Sequence, residues 1–129
     1  MATLDGVSRR LAAAPAVEAV YVFGSEAAGT ATKGSDIDLA IVASGPVTLA
    51  EELRLRAIAV EELRRDDIDF VILNHATPLL RYEVITRGRR LFAHDAAVAD
   101  AFELRAMAEY FDTAYLRRLR HELLREASS

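Results

Sequence analysis

Short runs of apolar residues alternate along the chain with longer stretches that begin or end at capping residues, Gly or Pro. Runs rich in valine, isoleucine and aromatic residues are typical of strands, and apolar positions three or four residues apart are typical of helices. The predicted strands are Val17 to Phe23, Asp36 to Ala43, Ile68 to Asn74 and a short edge strand from Arg90 to Ala93. The predicted helices are Leu4 to Ala14, a helix capped by Thr48 that runs to Arg65, Thr77 to Gly88, and Asp95 to Arg125.

The ends of these elements carry recognisable signals. Pro15 ends the first helix, Thr48 with Glu51 three residues later forms a capping box, and Thr77 followed by Pro78 is a favourable helix start. A short helical turn and a loop are expected over Glu26 to Ser35. The order α-β-α-β-α-β-α-β-α predicts an α/β (α+β) fold, in which helices flank a small mixed β-sheet, and a single domain over residues 1–129.

Composition limits the classes of function. The 129 residues carry a net charge of −4 and no cysteine, which argues against a domain that coats nucleic acid and excludes disulfides and Cys-bound zinc. No apolar run reaches the ~20 residues of a membrane span. The apolar stretch after Arg9 and Arg10 is interrupted by Pro15 and is too short for an export signal. A cytoplasmic protein without membrane or direct nucleic-acid contacts is therefore expected.

Two carboxylates at the start of the second predicted strand point to metal chemistry. Because side chains alternate along a strand, Asp36 and Asp38 share one face, and Ile37 and Leu39 point into the opposite layer. Two like charges on one face destabilise the fold unless a positive charge lies between them. A hard divalent cation with oxygen ligands, such as Mg²⁺, is the natural candidate.

A phosphate-binding turn is predicted one loop away. Gly24 stands where the first strand passes into a helical turn and has no side chain to block a phosphate, and Ser25 offers an amide and a hydroxyl as donors. Lys33 in the same glycine-containing loop is a further candidate for phosphate contact. A phosphate cradle beside paired carboxylates predicts phosphoryl or nucleotidyl transfer from a metal-bound nucleoside triphosphate.

A third carboxylate is expected on the third predicted strand. Asp67 and Asp69 share a face, so alternation alone does not choose between them. Asp69 lies deeper in the apolar run and is favoured for that reason. In a two-metal site Asp36 and Asp38 would bridge both ions, and Asp69 would hold one ion and accept the proton of the attacking hydroxyl.

The arrangement of these motifs resembles that of the polymerase-β nucleotidyltransferase superfamily. Gly24-Ser25 is followed after ten residues by Asp36-Ile37-Asp38, and a later strand carries Asp69. The chain length and several further segments resemble the minimal nucleotidyltransferase branch of the superfamily, and in particular the antitoxins encoded beside HEPN-domain ribonuclease toxins. The segments that carry this resemblance are Asp69 to Asn74, Pro78 to Ile85, Gly88 to Phe92 and Phe102 to Asp112.

The resemblance implies an enzyme that uses ATP and two Mg²⁺ ions to transfer AMP to a tyrosine of a HEPN toxin. It implies triphosphate contacts for Gly24 and Ser25 and metal contacts for Asp36, Asp38 and Asp69. Two alternatives remain open at this point. In the first alternative, the acceptor is a small molecule such as an aminoglycoside. In the second, the protein is a non-catalytic antitoxin that neutralises its partner by binding alone.

The last predicted helix is longer than the rest of the domain requires. About thirty residues extend roughly 45 Å. Some of the apolar stripe of this helix is expected to cover the sheet, while its far end, with Leu123 and Leu124, either meets a protein partner or a second copy or is frayed or bent. A group of four arginines (Arg81, Arg87, Arg89 and Arg90) is a candidate for contact with the triphosphate or a partner. The apolar stripe of the long helix consists of Leu104, Ala108, Phe111, Tyr115 and Leu119.

Overall fold

A computed structural model of the chain describes residues 3–24 and 37–128, which form one four-stranded sheet with helices on both faces. Their elements in chain order are α1 (Leu4–Ala12), β1 (Val17–Phe23), β2 (Ile37–Ala43), α2 (Leu49–Leu63), β3 (Ile68–Ile72), a 3₁₀ turn (Leu73–His75), α3 (Pro78–Arg87), β4 (Arg89–Ala93) and α4 (Ala96–Ala127).

The sheet is mixed, as predicted, with the strand order β3-β2-β1-β4. β1 is antiparallel to both β2 and β4, and β2 is parallel to β3. The parallel pair requires a crossover, which α2 supplies. β4 lies at one edge of the sheet, which confirms the edge strand expected from the sequence, and β3 lies at the other edge.

Each face of the sheet has its own hydrophobic core. On one face, α1 and α2 cover alternate residues of the strands, including Ile37 and Leu39 of β2. On the other face, Ala40 and Val42 of the same strand pack with residues of α3 and α4. Residues at even positions of β2, including Asp38, therefore face the layer of α3 and α4.

β3 is shorter than predicted because the chain turns at Leu73 into the 3₁₀ turn. The Asn74 side chain takes the place of a further strand residue: its Oδ1 accepts from the Ala43 N–H at 2.8 Å, and its Nδ2 donates to the Ala43 carbonyl at 3.0 Å. β3 is also less covered than its apolar sequence suggests, since Phe70 and Val71 are only half-buried at the edge of the sheet. The fixed polar contacts of Asn74 thus end the strand without leaving Ala43 unpaired.

The long helix α4 is anchored by small residues and not by the predicted stripe. Ala99 and Ala106 are buried, and Ala99 packs with residues of the sheet and α3, whereas Leu104, Phe111 and Tyr115 are 58–66% exposed. The prediction that some of this stripe covers the sheet is wrong, because all five of its residues are exposed and the buried positions of the helix are taken by the small Ala99 and Ala106. None of the helices in the described part of the chain is long and apolar enough to cross a membrane.

Candidate active site

Asp38 and Asp69 lie side by side at one end of the sheet. The parallel pairing of β2 with β3 sets Asp38 opposite Asp69, and the antiparallel pairing of β1 with β2 sets Phe23 opposite Asp38. Neighbouring strands are about 4.8 Å apart, and both carboxylates point toward the layer of α3 and α4. The structure thus brings together two of the three predicted carboxylates.

The Asp38 carboxylate occupies the space above Gly24, the residue that follows β1. Gly24 has a φ of +73°, in the region that favours glycine, and a Cβ added there would contact Oδ2 of Asp38 and lie 3.2 Å from its Cγ. Any other residue at this position would have to displace the carboxylate. Gly24 therefore allows the backbone to turn and also leaves room for the Asp38 carboxylate. The sequence did not indicate this second role.

Asp67, the alternative third carboxylate, forms hydrogen bonds with a residue close to it in the sequence. Arg65 donates to both of its oxygens, from Nε at 2.6 Å and from Nη2 at 2.5 Å. These hydrogen bonds lower the pKa of the Asp67 carboxyl below its usual range. Asp69, two residues further along the chain, is the residue in register with Asp38.

Several predicted site residues lie outside the described part of the chain. They are Ser25, Lys33, Asp36 and the helical turn expected over Glu26 to Ser35. Within residues 3–24 and 37–128, no three His, Cys, Asp or Glu side chains are gathered closely enough to hold a metal ion. The two adjacent carboxylates nevertheless provide oxygen donors of the kind that hard divalent cations prefer.

A second polar cluster lies further along the same face of the sheet. The buried hydroxyl of Tyr21 donates to Glu103 Oε2 at 2.7 Å, and Arg90 donates to the same oxygen at 2.9 Å and to Asp100 at 3.0 Å. Burial and, after it, the hydrogen bond to Glu103 raise the pKa of the Tyr21 hydroxyl, and the hydrogen bond to Asp100 raises the pKa of Arg90. This cluster joins β1 and β4 to α4.

The arginines that were predicted as one group contact different partners. Arg90 belongs to the cluster just described, and Arg81 of α3 pairs with Glu109 of α4 at 3.2 Å. Arg87, at the end of α3, pairs with Glu83 of the same helix at 3.3 Å. Arg87 and Glu83 also line a cavity of about 340 Å³ together with Phe23 and Gly24.

That cavity was not predicted from the sequence. Glu83 and Arg87 have the four-residue spacing of a helical ion pair, and Gly88 follows them, but nothing local indicates that this helix end lies beside Gly24. Only the tertiary packing of α3 on β1 brings them there.

Comparison with known proteins identifies relatives. Residues 7–97 match the family model described as "Polymerase beta, Nucleotidyltransferase". Protein adenylyltransferase MntA of Shewanella oneidensis is 32% identical over 78 residues, which are 60% of this chain and 55% of that protein. The aligned part of the chain thus spans about half the length of this curated relative.

Solved structures share the fold over nearly the whole chain. A chain of a toxin–antitoxin structure with AMP-PNP superposes with a TM-score of 0.75 at 23% identity, covering 98% of this chain and all of the other. A chain of the complex of tri-AMPylated Shewanella oneidensis HEPN toxin with MNT antitoxin gives a TM-score of 0.67 at 22% identity, covering both chains completely. At these identities the similarity is one of fold.

Proposed function

The chain belongs to the polymerase β nucleotidyltransferase family, and from this premise we propose that it transfers AMP from ATP to a tyrosine of a HEPN-domain toxin. The observation that carries the proposal is the pairing of Asp38 with Asp69 beside Gly24. Two further findings support it. The relative that is 32% identical is a protein adenylyltransferase, and a protein of the same fold is an MNT antitoxin in complex with an AMPylated HEPN toxin.

The donor set fits Mg²⁺. Asp38 and Asp69 offer adjacent carboxylate oxygens, and the space above Gly24 that a Cβ would fill is taken by Asp38. Two Mg²⁺ ions held by these residues and by Asp36 would neutralise the triphosphate and the charge that develops during displacement. Like charges placed side by side in a fold are typical of sites that bind cations.

The residues of the chain would act on the acceptor and the nucleotide as follows. Gly24, Ser25 and Lys33 would bind the triphosphate, and Asp69 would take the proton of the attacking tyrosine hydroxyl on its carboxylate. The hydroxyl oxygen would form a bond to the α-phosphorus, the bond from that phosphorus to the bridging oxygen would break, and pyrophosphate would leave. ATP and the RNA that a ribonuclease toxin cleaves are cytoplasmic, so the cytoplasm is the proposed place of action.

The exposed part of α4 is the proposed docking surface for the toxin. The distal half of α4 carries more arginine than glutamate, which favours a partner whose apolar surface has an acidic border. Exposed aromatic and leucine residues on one side of a helix are typical of protein interfaces. From the middle of α4 onward these residues are Phe111, Tyr115, Leu116, Leu119 and Leu123.

A matched pair of substitutions tests this surface. Tyr115 and Leu124 are 58% and 59% exposed but lie about 180° apart around the helix. Tyr115→Glu is expected to abolish co-purification with the toxin, and Leu124→Glu to leave it unchanged. Equal effects of both substitutions would contradict docking on this side of α4.

The activity is tested with a HEPN-domain toxin as acceptor, ATP and Mg²⁺. Mass spectrometry of the HEPN protein is expected to show added AMP on a tyrosine, and the Asp38→Asn variant is expected to add far less in the same time. An unmodified toxin in an active preparation would contradict the proposal, and transfer to an aminoglycoside instead would favour the small-molecule alternative. Neutralisation of the toxin by Asp38→Asn would favour binding alone.

A further inference from the structure

The cavity lined by Phe23, Gly24, Glu83 and Arg87 reaches Gly24, the residue against which the Asp38 carboxylate lies. Its volume is about 340 Å³, and Gly24 in its wall lies under the Asp38 carboxylate. A ligand that reaches Asp38 from the layer of α3 and α4 therefore passes the last turn of α3. The residues of that turn border the proposed nucleotide site.

Gly88 fixes the last turn of α3 in this place. A Cβ at Gly88 would contact the Val84 carbonyl, would lie 2.8 Å from the Val22 carbonyl and 3.2 Å from Cβ of Phe23. The helix end is thus packed against the end of β1 more closely than any side chain at this position would allow. The fold therefore places the backbone of Arg87 beside Gly24.

The charges around the cavity require a cation if a polyphosphate is to enter. Asp38, Asp69 and Glu83 are acidic, and the carboxyl end of α3 adds the negative end of its helix dipole. Among the described residues that line the cavity, Arg87 carries the positive charge. Its side chain is 80% exposed and its pair with Glu83 lies within a single helix, so exchanging Glu83 for a phosphate costs little.

We propose that Arg87 binds the polyphosphate of the nucleotide, leaving its ion pair with Glu83 when the nucleotide enters. A guanidinium can donate two parallel hydrogen bonds to a phosphate, which makes this exchange favourable. This inference rests on the proposed nucleotidyltransferase function and adds to it a residue for nucleotide binding. Arg81 and Arg90 form ion pairs with Glu109 and Glu103 and are not expected to bind the nucleotide.

Arg89 is a matched control for Arg87. It lies two residues away, and its position in β4 alternates with that of Arg90, which contacts α4, so Arg89 points to the opposite face of the sheet. Removal of Arg87 or of Arg89 changes the net charge of the protein equally. A difference between the two variants therefore reports contact with the ligand and not overall charge.

The test measures binding of ATP and of pyrophosphate, each with Mg²⁺, to the full chain by isothermal titration calorimetry. Arg87→Ala is expected to weaken both by roughly 10- to 100-fold, the effect of losing hydrogen bonds to a charged group. Arg87→Lys should recover part of the affinity, and Arg89→Ala should bind as the wild type does. Thermal melting checks that each variant is folded.

Two results would overturn the inference. Unchanged pyrophosphate binding by Arg87→Ala would show that Arg87 does not contact the polyphosphate, even if ATP binding fell. Equal losses of affinity in Arg87→Ala and Arg89→Ala would show that the change in net charge, and not contact with the ligand, weakens binding. Both results leave the proposed function standing as long as the wild type binds ATP with Mg²⁺, whereas a wild type that binds neither ligand would overturn the function as well.

Discussion

Two polar clusters on the same face of the sheet are built in opposite ways. In the first, the Tyr21 hydroxyl and the Arg90 guanidinium converge on Glu103, and Arg90 also reaches Asp100. In the second, Asp38 and Asp69 stand side by side, and no described residue forms an ion pair with Asp69. Opposite charges meet in the first cluster, and like charges meet in the second.

The difference separates groups that stabilise the fold from the groups that we propose bind a ligand. A hydroxyl, a carboxylate and a guanidinium in mutual contact satisfy one another, so the Tyr21 cluster joins α4 to the sheet without any ligand. Adjacent carboxylates destabilise the ligand-free protein and gain from a bound cation. Substitutions in the two clusters should therefore have opposite consequences for stability and activity.

Replacing a paired carboxylate should have the largest effect. Asp38→Asn is expected to lower the rate of AMP transfer by roughly 10³-fold, since a metal contributes several kcal/mol to the transition state. The free energy of unfolding of the matched Asp69→Asn variant should stay the same or rise, because Asp69 lies beside Asp38 and no described residue forms an ion pair with it. Radiolabelled transfer and chemical denaturation measure the two effects, and a clear loss of stability would contradict the comparison.

Adding a methyl group at Gly24 should have the next largest effect. Gly24→Ala is expected to reduce AMP transfer by about 10²-fold, because a Cβ would displace the Asp38 carboxylate and misplaced catalytic groups lose rates of this order. The positive φ should also destabilise the fold by about 1 kcal/mol. Transfer assays and denaturation check both, and transfer at the wild-type rate would refute the role of Gly24 in positioning Asp38.

A substitution in the Tyr21 cluster should change the stability of the protein and leave its activity unchanged. Tyr21→Phe is expected to cost about 1 kcal/mol at pH 7 through the lost hydrogen bond to Glu103, and to leave ATP binding unchanged. Folding raises the pKa of Tyr21, so the wild type should lose stability as the pH rises past about 10, where the unfolded tyrosine ionises.

The Tyr21→Phe variant should lack this part of the pH dependence, so the two proteins should converge in alkaline solution. Denaturation at pH 7 and at pH 10.5 tests the convergence. A gap that widens with pH would contradict the assigned contact.

Asp67 should show the smallest effect. Asp67→Asn is expected to leave AMP transfer unchanged, because Arg65 already binds this carboxylate and Asp69 is the residue opposite Asp38. The pKa of Asp67 is lowered, so its small contribution to stability is present near neutral pH and disappears in acid. Loss of transfer comparable to that of Asp69→Asn would make Asp67 the third carboxylate.

The strands and helix starts were predictable because their signals are local. The bounds of β1 agree with the prediction, and Thr48 and Thr77 cap their helices as the sequence indicates. Ends set by unusual backbone or distant contacts were less predictable. α2 stops at Leu63 because Arg64 is left-handed, and β3 stops where Asn74 reaches Ala43.

The site was predictable where strand alternation decides and not where register or packing does. Alternation placed Asp38 on the opposite face from Ile37 and Leu39, but only the pairing of β2 with β3 sets Asp69 opposite Asp38. Tyr21 and Glu103 are 82 residues apart, so no local pattern predicts their contact. The anchoring of α4 through Ala99 was missed because apolar periodicity favours the larger residues, here left exposed.

The parallel pairing of β2 with β3 also has a consequence for biogenesis. Asp38 and Asp69 meet only after the intervening crossover through α2 has closed, so an incomplete or unfolded chain does not have the two carboxylates side by side. A ligand that recognises only the native protein stabilises it by mass action. The proposed nucleotide would then protect folded molecules from proteolysis and leave unfolded ones exposed to it.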